Sequence, residues 1–229
     1  KLTAQKGFVE NCAKHPAELT GKKIVPATDL IAATSDLSGF VNYSSALNTL
    51  AVRLSKIASD LILLASGPRT ALFEINLPPL QPGSSIMPGK VNPVLPELVN
   101  LVTFRVMGND VAVTIAAKTG QLQLNAYEPL AISAILESQK LLTNTMKAFK
   151  TKCVDGITAN EDVMTKYINQ SVGIVTALNP VLGYEKTTEL AKEALETGKG
   201  ILELIREKKL LTEDQIKELL DPKKMTGQE

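Results

Sequence analysis

Aromatic residues make up only 4% of this 229-residue chain and tryptophan is absent, so any core must be built from aliphatic side chains. There is one histidine, His15, and a reaction that needs a histidine must recruit it from elsewhere. The two cysteines, Cys12 and Cys153, give neither a disulfide framework nor a metal-site spacing. Two reduced thiols of a cytoplasmic protein are the expectation. Cys12 and His15 have no third ligand nearby, so His15 is read as a surface histidine near a helix end. Net charge is +1, which argues against nucleic acid or a membrane surface as the main partner. No segment approaches the roughly eighteen consecutive apolar residues of a membrane span, and no signal-peptide pattern opens the chain. Neither a convincing alternating strand run nor a glycine-rich nucleotide fingerprint is present.

What is present is helical periodicity. Hydrophobic content is 44%, and the length allows a sizeable core in one or two domains. A first helix is expected from residue 1 to about 22, interrupted at Pro16 and ending at Gly21, then a short one over Asp29 to Thr34. Phe40, Tyr43, Leu47, Leu50, Leu54, Ile57, Leu61 and Leu64 recur at spacings of three and four, a heptad-like stripe stopped at Gly67-Pro68. Leu95 to Thr119 is apolar on nearly every face and reads as a buried helix, with Gly108-Asn109-Asp110 at a helix–helix contact. Pro129 opens a third long helix to about Lys152, with Ile132, Ile135, Leu142, Met146 and Phe149 on one face. The fold class is therefore all-α: a long-helix bundle over 1–153, followed by a small C-terminal helical domain over 154–229. In that second part Thr158-x-x-Glu161 and Thr212-x-x-Gln215 both match capping boxes. Residues 226–229 form a polar tail.

The densest local signal is Gly83-Ser84-Ser85-Ile86-Met87-Pro88-Gly89-Lys90-Val91-Asn92-Pro93. It closes a region, 67–93, rich in glycine and proline and too long to be an ordinary connection. Serine hydroxyls, backbone N–H groups, a lysine and an asparagine precede a helix start, which favours anions. The residues alone leave two readings for Ser84 and Ser85: turn serines capping the next helix, or catalytic groups in a carboxylate- or phosphate-binding loop. Lys90 and Asn92 read equally as a solvated lysine and a helix-start cap, and Glu97 as a dipole-compensating acid.

The same residues resemble the signature loop of the fumarase/aspartase superfamily, Gly-Ser-Ser-x-Met-Pro-x-Lys-x-Asn-Pro. Ser66-Gly67-Pro68-Arg69, Gly108-Asn109-Asp110, Gly120-Gln121-Leu122-Gln123-Leu124-Asn125 and Thr176-Ala177-Leu178-Asn179-Pro180 extend the resemblance along the chain. Members of that family run to roughly twice this length, so the resemblance is to their C-terminal half. It implies that Ser84 is the general base, removing the proton from carbon 3 of a C4 amino or hydroxy dicarboxylate. The resulting aci-carboxylate would be held by the backbone amides of Ser85, Ile86 and Met87. Lys90 and Asn92 would bind the other carboxylate. Glu97 would orient an active-site histidine that the N-terminal half supplies. Arg69 is read first as a structural ion-pair residue and then as a substrate contact.

Two details separate the branches of the family. Val94-Leu95-Pro96-Glu97 and the acidic Glu128 are similar to aspartases, where fumarases usually carry Thr-Gln-Cys-Glu and lysine. The resemblance thus implies ammonia elimination from L-aspartate, with malate dehydration second and a non-catalytic helical assembly module as the alternative from another class. It implies no metal and no organic cofactor. As partners it implies a small dicarboxylate, a homotetramer whose active sites combine residues from several subunits, and the missing N-terminal half, without which the chain is expected to be inactive.

Overall fold

The computed structural model describes residues 3–81, 83, 86–87 and 89–227. The chain divides into two compact units, one of residues 1–63 and 77–157, the other of 64–76 and 158–229. Strand is confined, among the described residues, to two strands of two residues each, so the all-α expectation holds.

In the first unit, α1 (Phe8–Thr20) runs through Pro16 without interruption and ends at Gly21, whose φ of 66° is the left-handed cap that glycine adopts freely. It starts at Phe8 rather than at the chain's first residues, because Gly7 sits in the same left-handed region. The short helix falls at α2 (Ala32–Ser35), with Asp29 accepting the N–H groups of Ile31 and Ala32 ahead of it. Before α3 (Ser38–Leu64), Asp36 accepts both the N–H and the hydroxyl of Ser38, and these bonds hold its carboxyl below the usual range.

The innermost residues of α3 are Ser44, Ala51 and Ala58, a line at sevenfold spacing that continues back to buried Leu37. Phe40, Leu47, Leu54 and Leu61 flank that line and are partly buried against the core. Tyr43 and Ile57 from the expected stripe are instead exposed, at 44% and 50%. The stripe is wider than one contact face, and this chain covers only part of it.

The other two long helices are α4 (Val94–Thr119) and α5 (Glu128–Lys152). Leu37 joins Val113, Ala116, Ala131 and Ala134 in one cluster; Ala51 joins Val102, Val106 and Leu142 in the next; Ala58 joins Leu95, Val99, Phe149 and Cys153 in the third. The order of these layers makes α4 antiparallel to both α3 and α5. Ala116, Ala131, Ala134 and Ser138 are small and buried at the α4–α5 seam, which lets the two backbones run close. Burial pushes the Cys153 thiol up.

The expectation that α4 is buried all round is only half met. Leu101, Phe104, Val111 and Ile115 are more than half exposed. Burying every face of a helix needs neighbours on every side, and α3 and α5 cover only one side of it. Ile132 of α5 likewise lies outside the buried face shared by Ile135, Leu142 and Phe149. By length and composition α4 is apolar enough to cross a bilayer, but its polar residues are engaged as in a bundle helix. Asn109 donates to Glu137 at 2.9 Å and Ser138 at 3.1 Å on α5. Its neighbour Asp110 accepts from Ser44 at 2.6 Å and Asn48 at 2.8 Å on α3. Asn109 and Asp110 therefore do sit at helix–helix contacts, as expected, whereas Gly108 is exposed with nothing packed against it.

In the second unit, β1 (Ile75–Asn76) pairs antiparallel with β2 (Thr158–Ala159). Then come α6 (Glu161–Gln170), a 3-10 segment over Val172–Leu178, α7 (Asn179–Leu182), α8 (Tyr184–Thr197), α9 (Ile201–Glu207), α10 (Glu213–Leu219) and α11 (Pro222–Met225). Ile174, Leu178, Leu190, Ile201, Leu204, Ile205 and Ile216 form an aliphatic core. Thr212 and Gln215 make the expected capping box of α10. The box expected at Thr158 does not form: Thr158 is in β2, and Asn160 precedes α6 without a side-chain cap.

Two predictions follow from the bundle. Leu142 is 2% exposed in the middle layer, so Leu142→Ala is expected to cost about 2–5 kcal/mol in urea denaturation. Glu137 has its carboxyl lowered by the Asn109 hydrogen bond and then by Arg105. A depressed folded pKa contributes stability above the unfolded value that is lost as pH falls through the folded one. Glu137→Gln should therefore be less stable than the parent at neutral pH, and the two should converge in acid below the ordinary glutamate range. Parallel denaturation curves at all pH values would remove Glu137 from the register of the bundle.

Candidate active-site loop

The loop hangs between two points on one apolar cluster. Leu77 at its start and Val94 at its end both pack against the cluster of Ala58, Leu95, Val99, Phe149 and Cys153. Pro78 lies against Gly156, where an added Cβ would come within 2.6 Å of the proline ring. At the far end Asn92 O accepts the Val94 N–H at 2.9 Å and Pro93 O accepts the Glu97 N–H at 3.1 Å, so α4 begins without a side-chain cap.

Within the loop the backbone crosses itself. An added Cβ on Gly83 would fall 1.2 Å from the carbonyl oxygen of Lys90, so a side chain at 83 would have to displace that carbonyl. Lys90 N–H donates back to Met87 O at 3.3 Å. Gly89, with φ of 78°, makes the turn just before the crossing.

The expected site residues are distributed as follows. Ser84 and Ser85 lie outside the described residues. Ile86 and Met87 are in the loop, 87% and 50% exposed. Lys90 is exposed, Asn92 is half-buried, and Glu97 is exposed in the first turn of α4. Lys90, Glu97 and Arg69 make no ion pair with a described residue. The ion-pair reading of Arg69 is thus without a described acidic partner. One segment brings Ile86, Met87, Lys90, Asn92 and Glu97 to the same end of α4. Among the described residues no three His, Cys, Asp or Glu side chains converge to hold a metal ion. His15 is on the exposed surface of α1, 3.4 Å from the Glu18 carboxylate, with no ligand set around it.

Several further buried or half-buried asparagines hold segments together away from the loop. Asn125 is 2% exposed and closes the α4–α5 corner. Its amide donates to Ala116 O and Ala117 O at 3.0 and 3.2 Å while its oxygen accepts the Tyr127 N–H at 2.9 Å. The run that ends at Asn125, three residues before α5, was singled out in the sequence, but the bonds this side chain makes were not legible there. Asn76 and Asn160, bonded to each other at 2.6 Å, carry no local pattern at all. Glu128 lines an open groove of about 650 Å³ along α5 with Pro129, Ile132, Ser133 and Leu136, and no residue of the loop lines it.

Residues 1–108 match the family model described as Lyase, and residues 174–227 match the model described as Fumarase C C-terminus. The chain is 52% identical over 224 residues to the aspartate ammonia-lyase of Pseudomonas aeruginosa, covering 98% of this chain and 47% of that protein. It is 50% identical over 218 residues to the aspartate ammonia-lyase of Escherichia coli K12, covering 95% and 46% respectively. Among solved structures it is similar to a fumarate lyase:delta crystallin from Brucella melitensis, with a TM-score of 0.89 and 45% identity over 97% of this chain and 48% of that one. A class II fumarase from Schistosoma mansoni gives a TM-score of 0.85 and 33% identity over 95% of this chain and 48% of that one. The chain spans about half the length of the curated relatives it matches.

The crossing at Gly83 generates a prediction. Gly83→Ala must displace the Lys90 carbonyl, so tryptic cleavage after Lys90 should accelerate while the thermal midpoint of the bundle stays unchanged. An unaltered cleavage rate would mean that the loop does not depend on the close approach.

Proposed function

We propose, on the premise that the chain belongs to the fumarase/aspartase superfamily and resembles the C-terminal half of its aspartate ammonia-lyases, that it is part of an enzyme eliminating ammonia from L-aspartate to give fumarate. The observation that carries this reading is the match to aspartate ammonia-lyases at 52% identity along nearly the whole chain. The self-crossing loop at the head of α4 supports it.

In this reading the Ser84 alkoxide takes the proton from carbon 3 of aspartate, leaving the electron pair delocalised into the neighbouring carboxylate. The backbone N–H groups of Ser85, Ile86 and Met87 hold that dianionic aci-carboxylate, a charge that develops on the way to the transition state. The pair then returns to form the double bond as the C–N bond breaks, and ammonia leaves with the C–N electrons. Lys90 and Asn92 bind the distal carboxylate, Lys90 as a point charge and Asn92 as a directional donor. Glu97 orients a histidine from the other half of the enzyme; His15 takes no part. The alkoxide is favoured by the cationic Lys90 and the N-terminal dipole of α4. No metal or organic cofactor enters the scheme.

Partners and assembly are part of the same proposal. The N-terminal half supplies the histidine and the amino-group site, and subunits combine as a homotetramer. The exposed apolar rows Leu101, Phe104, Val111 and Ile115 of α4 support burial against further helices. A cytoplasmic location accords with two unpaired thiols.

The test is to titrate the chain with a separately expressed N-terminal half and follow fumarate absorbance from aspartate and from malate. Activity on aspartate that appears only with both halves is expected, and Lys90→Met should then raise KM by about 10–100-fold. Activity of the chain alone, or a preference for malate, overturns the assignment. Preference for malate would select the class II fumarase reading.

A further inference from the structure

The side of α4 turned away from its core residues Val99, Val106 and Val113 carries an ordered row. Leu101, Phe104, Gly108, Val111 and Ile115 follow one another at alternating spacings of three and four, the spacing of a seam between two long helices. The four large residues of the row are between 51% and 67% exposed. The same spacing, carried one step further at each end, reaches Glu97 and Lys118. Both are exposed, and neither makes an ion pair with a described residue.

The row matches itself when reversed. Gly108 lies at its middle, with Leu101 seven residues before it, Ile115 seven after it, and Phe104 and Val111 on either side. A second copy of α4, laid antiparallel with both Gly108 residues on a two-fold axis, sets Phe104 against Val111 of that copy and Leu101 against its Ile115. Each contact occurs twice, as an interface between identical surfaces requires. The ends decide the direction. Antiparallel helices bring Glu97 to Lys118 of the second copy, whereas parallel helices in register would set like charge against like at both ends. Glu97 keeps a second carboxylate oxygen for the histidine assigned to it in the proposed reaction.

Gly108 is the residue that a single chain does not explain. It stands inside a 26-residue helix, where glycine is less favourable than alanine. Its φ is not left-handed, it is exposed, and an added Cβ would meet nothing within 4 Å. At a crossing point the missing side chain lets two helix backbones approach closely.

We infer that two copies of the chain pair through α4, antiparallel, with Gly108 at the two-fold axis. This deepens the assembly proposed above by naming its face and register, and its readout does not pass through activity. The test is oxidative cross-linking in a Cys12→Ser background, because Cys12 is exposed and Cys153 buried. It is run on the chain alone and on the chain assembled with an N-terminal half. A disulfide needs Cα atoms about 4.4–6.8 Å apart, and within the row the axis brings only residue 108 that close to itself. Gly108→Cys should give linked dimers in both preparations. Leu101→Cys should not link to itself, but should link to Ile115→Cys chains when the two are mixed. In the preparation that links, Gly108→Leu should weaken association about tenfold and leave the helical circular dichroism unchanged, because the added side chain meets open space within one chain. No Gly108→Cys dimer in either preparation, equal linking of Leu101→Cys to itself, or unweakened association of Gly108→Leu overturns the seam. Loss of the dimer on assembly also overturns it and gives the row to the N-terminal half. An assembly that links in this pattern but makes no fumarate sinks the aspartate reading and leaves the seam; an active one that does not link at 108 does the reverse.

Discussion

The close seam between α4 and α5 is the constraint on which the first unit depends. It works because the facing residues are small and because Asn109, almost fully buried, finds Glu137, Ser138 and the Ala134 carbonyl on the opposite helix. A buried amide left unpaired is costly, so this set of bonds is satisfied in one register and penalised in others. With α4 and α5 fixed, α3 lies against them through Ser44, Ala51 and Ala58, flanked by Phe40, Leu47, Leu54 and Leu61, and through the Asp110 bonds. The layers then stack in order, and the last, around Phe149 and Cys153, becomes the seat for both roots of the loop.

A chemistry-bearing loop on such a seat needs little regular structure of its own. Gly83 brings the backbone against Lys90, and the prolines limit the directions in which the chain can leave. The described part of that loop is held at its two roots by one apolar cluster of the bundle. That economy explains why so many prolines and glycines are concentrated between residues 67 and 93.

The helices were legible in the sequence because their signals are local: periodicity, a left-handed glycine at the end of α1, Pro129 at the start of α5, and the Thr212 capping box. The identity of the loop was legible because its residues are consecutive. What was not legible depends on who stands opposite. The stripe of α3 was read from its large residues, whereas the line that is buried is made of Ser44, Ala51 and Ala58, which carry little hydrophobic signal. The apolar circumference of α4 was read as burial, but periodicity reports what a helix can bury and not how many neighbours one chain provides. Thr158 matched a capping pattern and became a strand residue because Asn76, far away in sequence, was there to pair with it. Asn160 gave no signal for the same reason.

The adjacency of Asn109 and Asp110 bears on how this sequence can change over time. The two residues point to different neighbours, one to α5 and the other to α3. Inserting or deleting a single residue upstream in α4 would swing both by about 100° around the helix axis, and no compensating shift along one partner could restore the other. Length variation in α4 is therefore closed off from both sides at once.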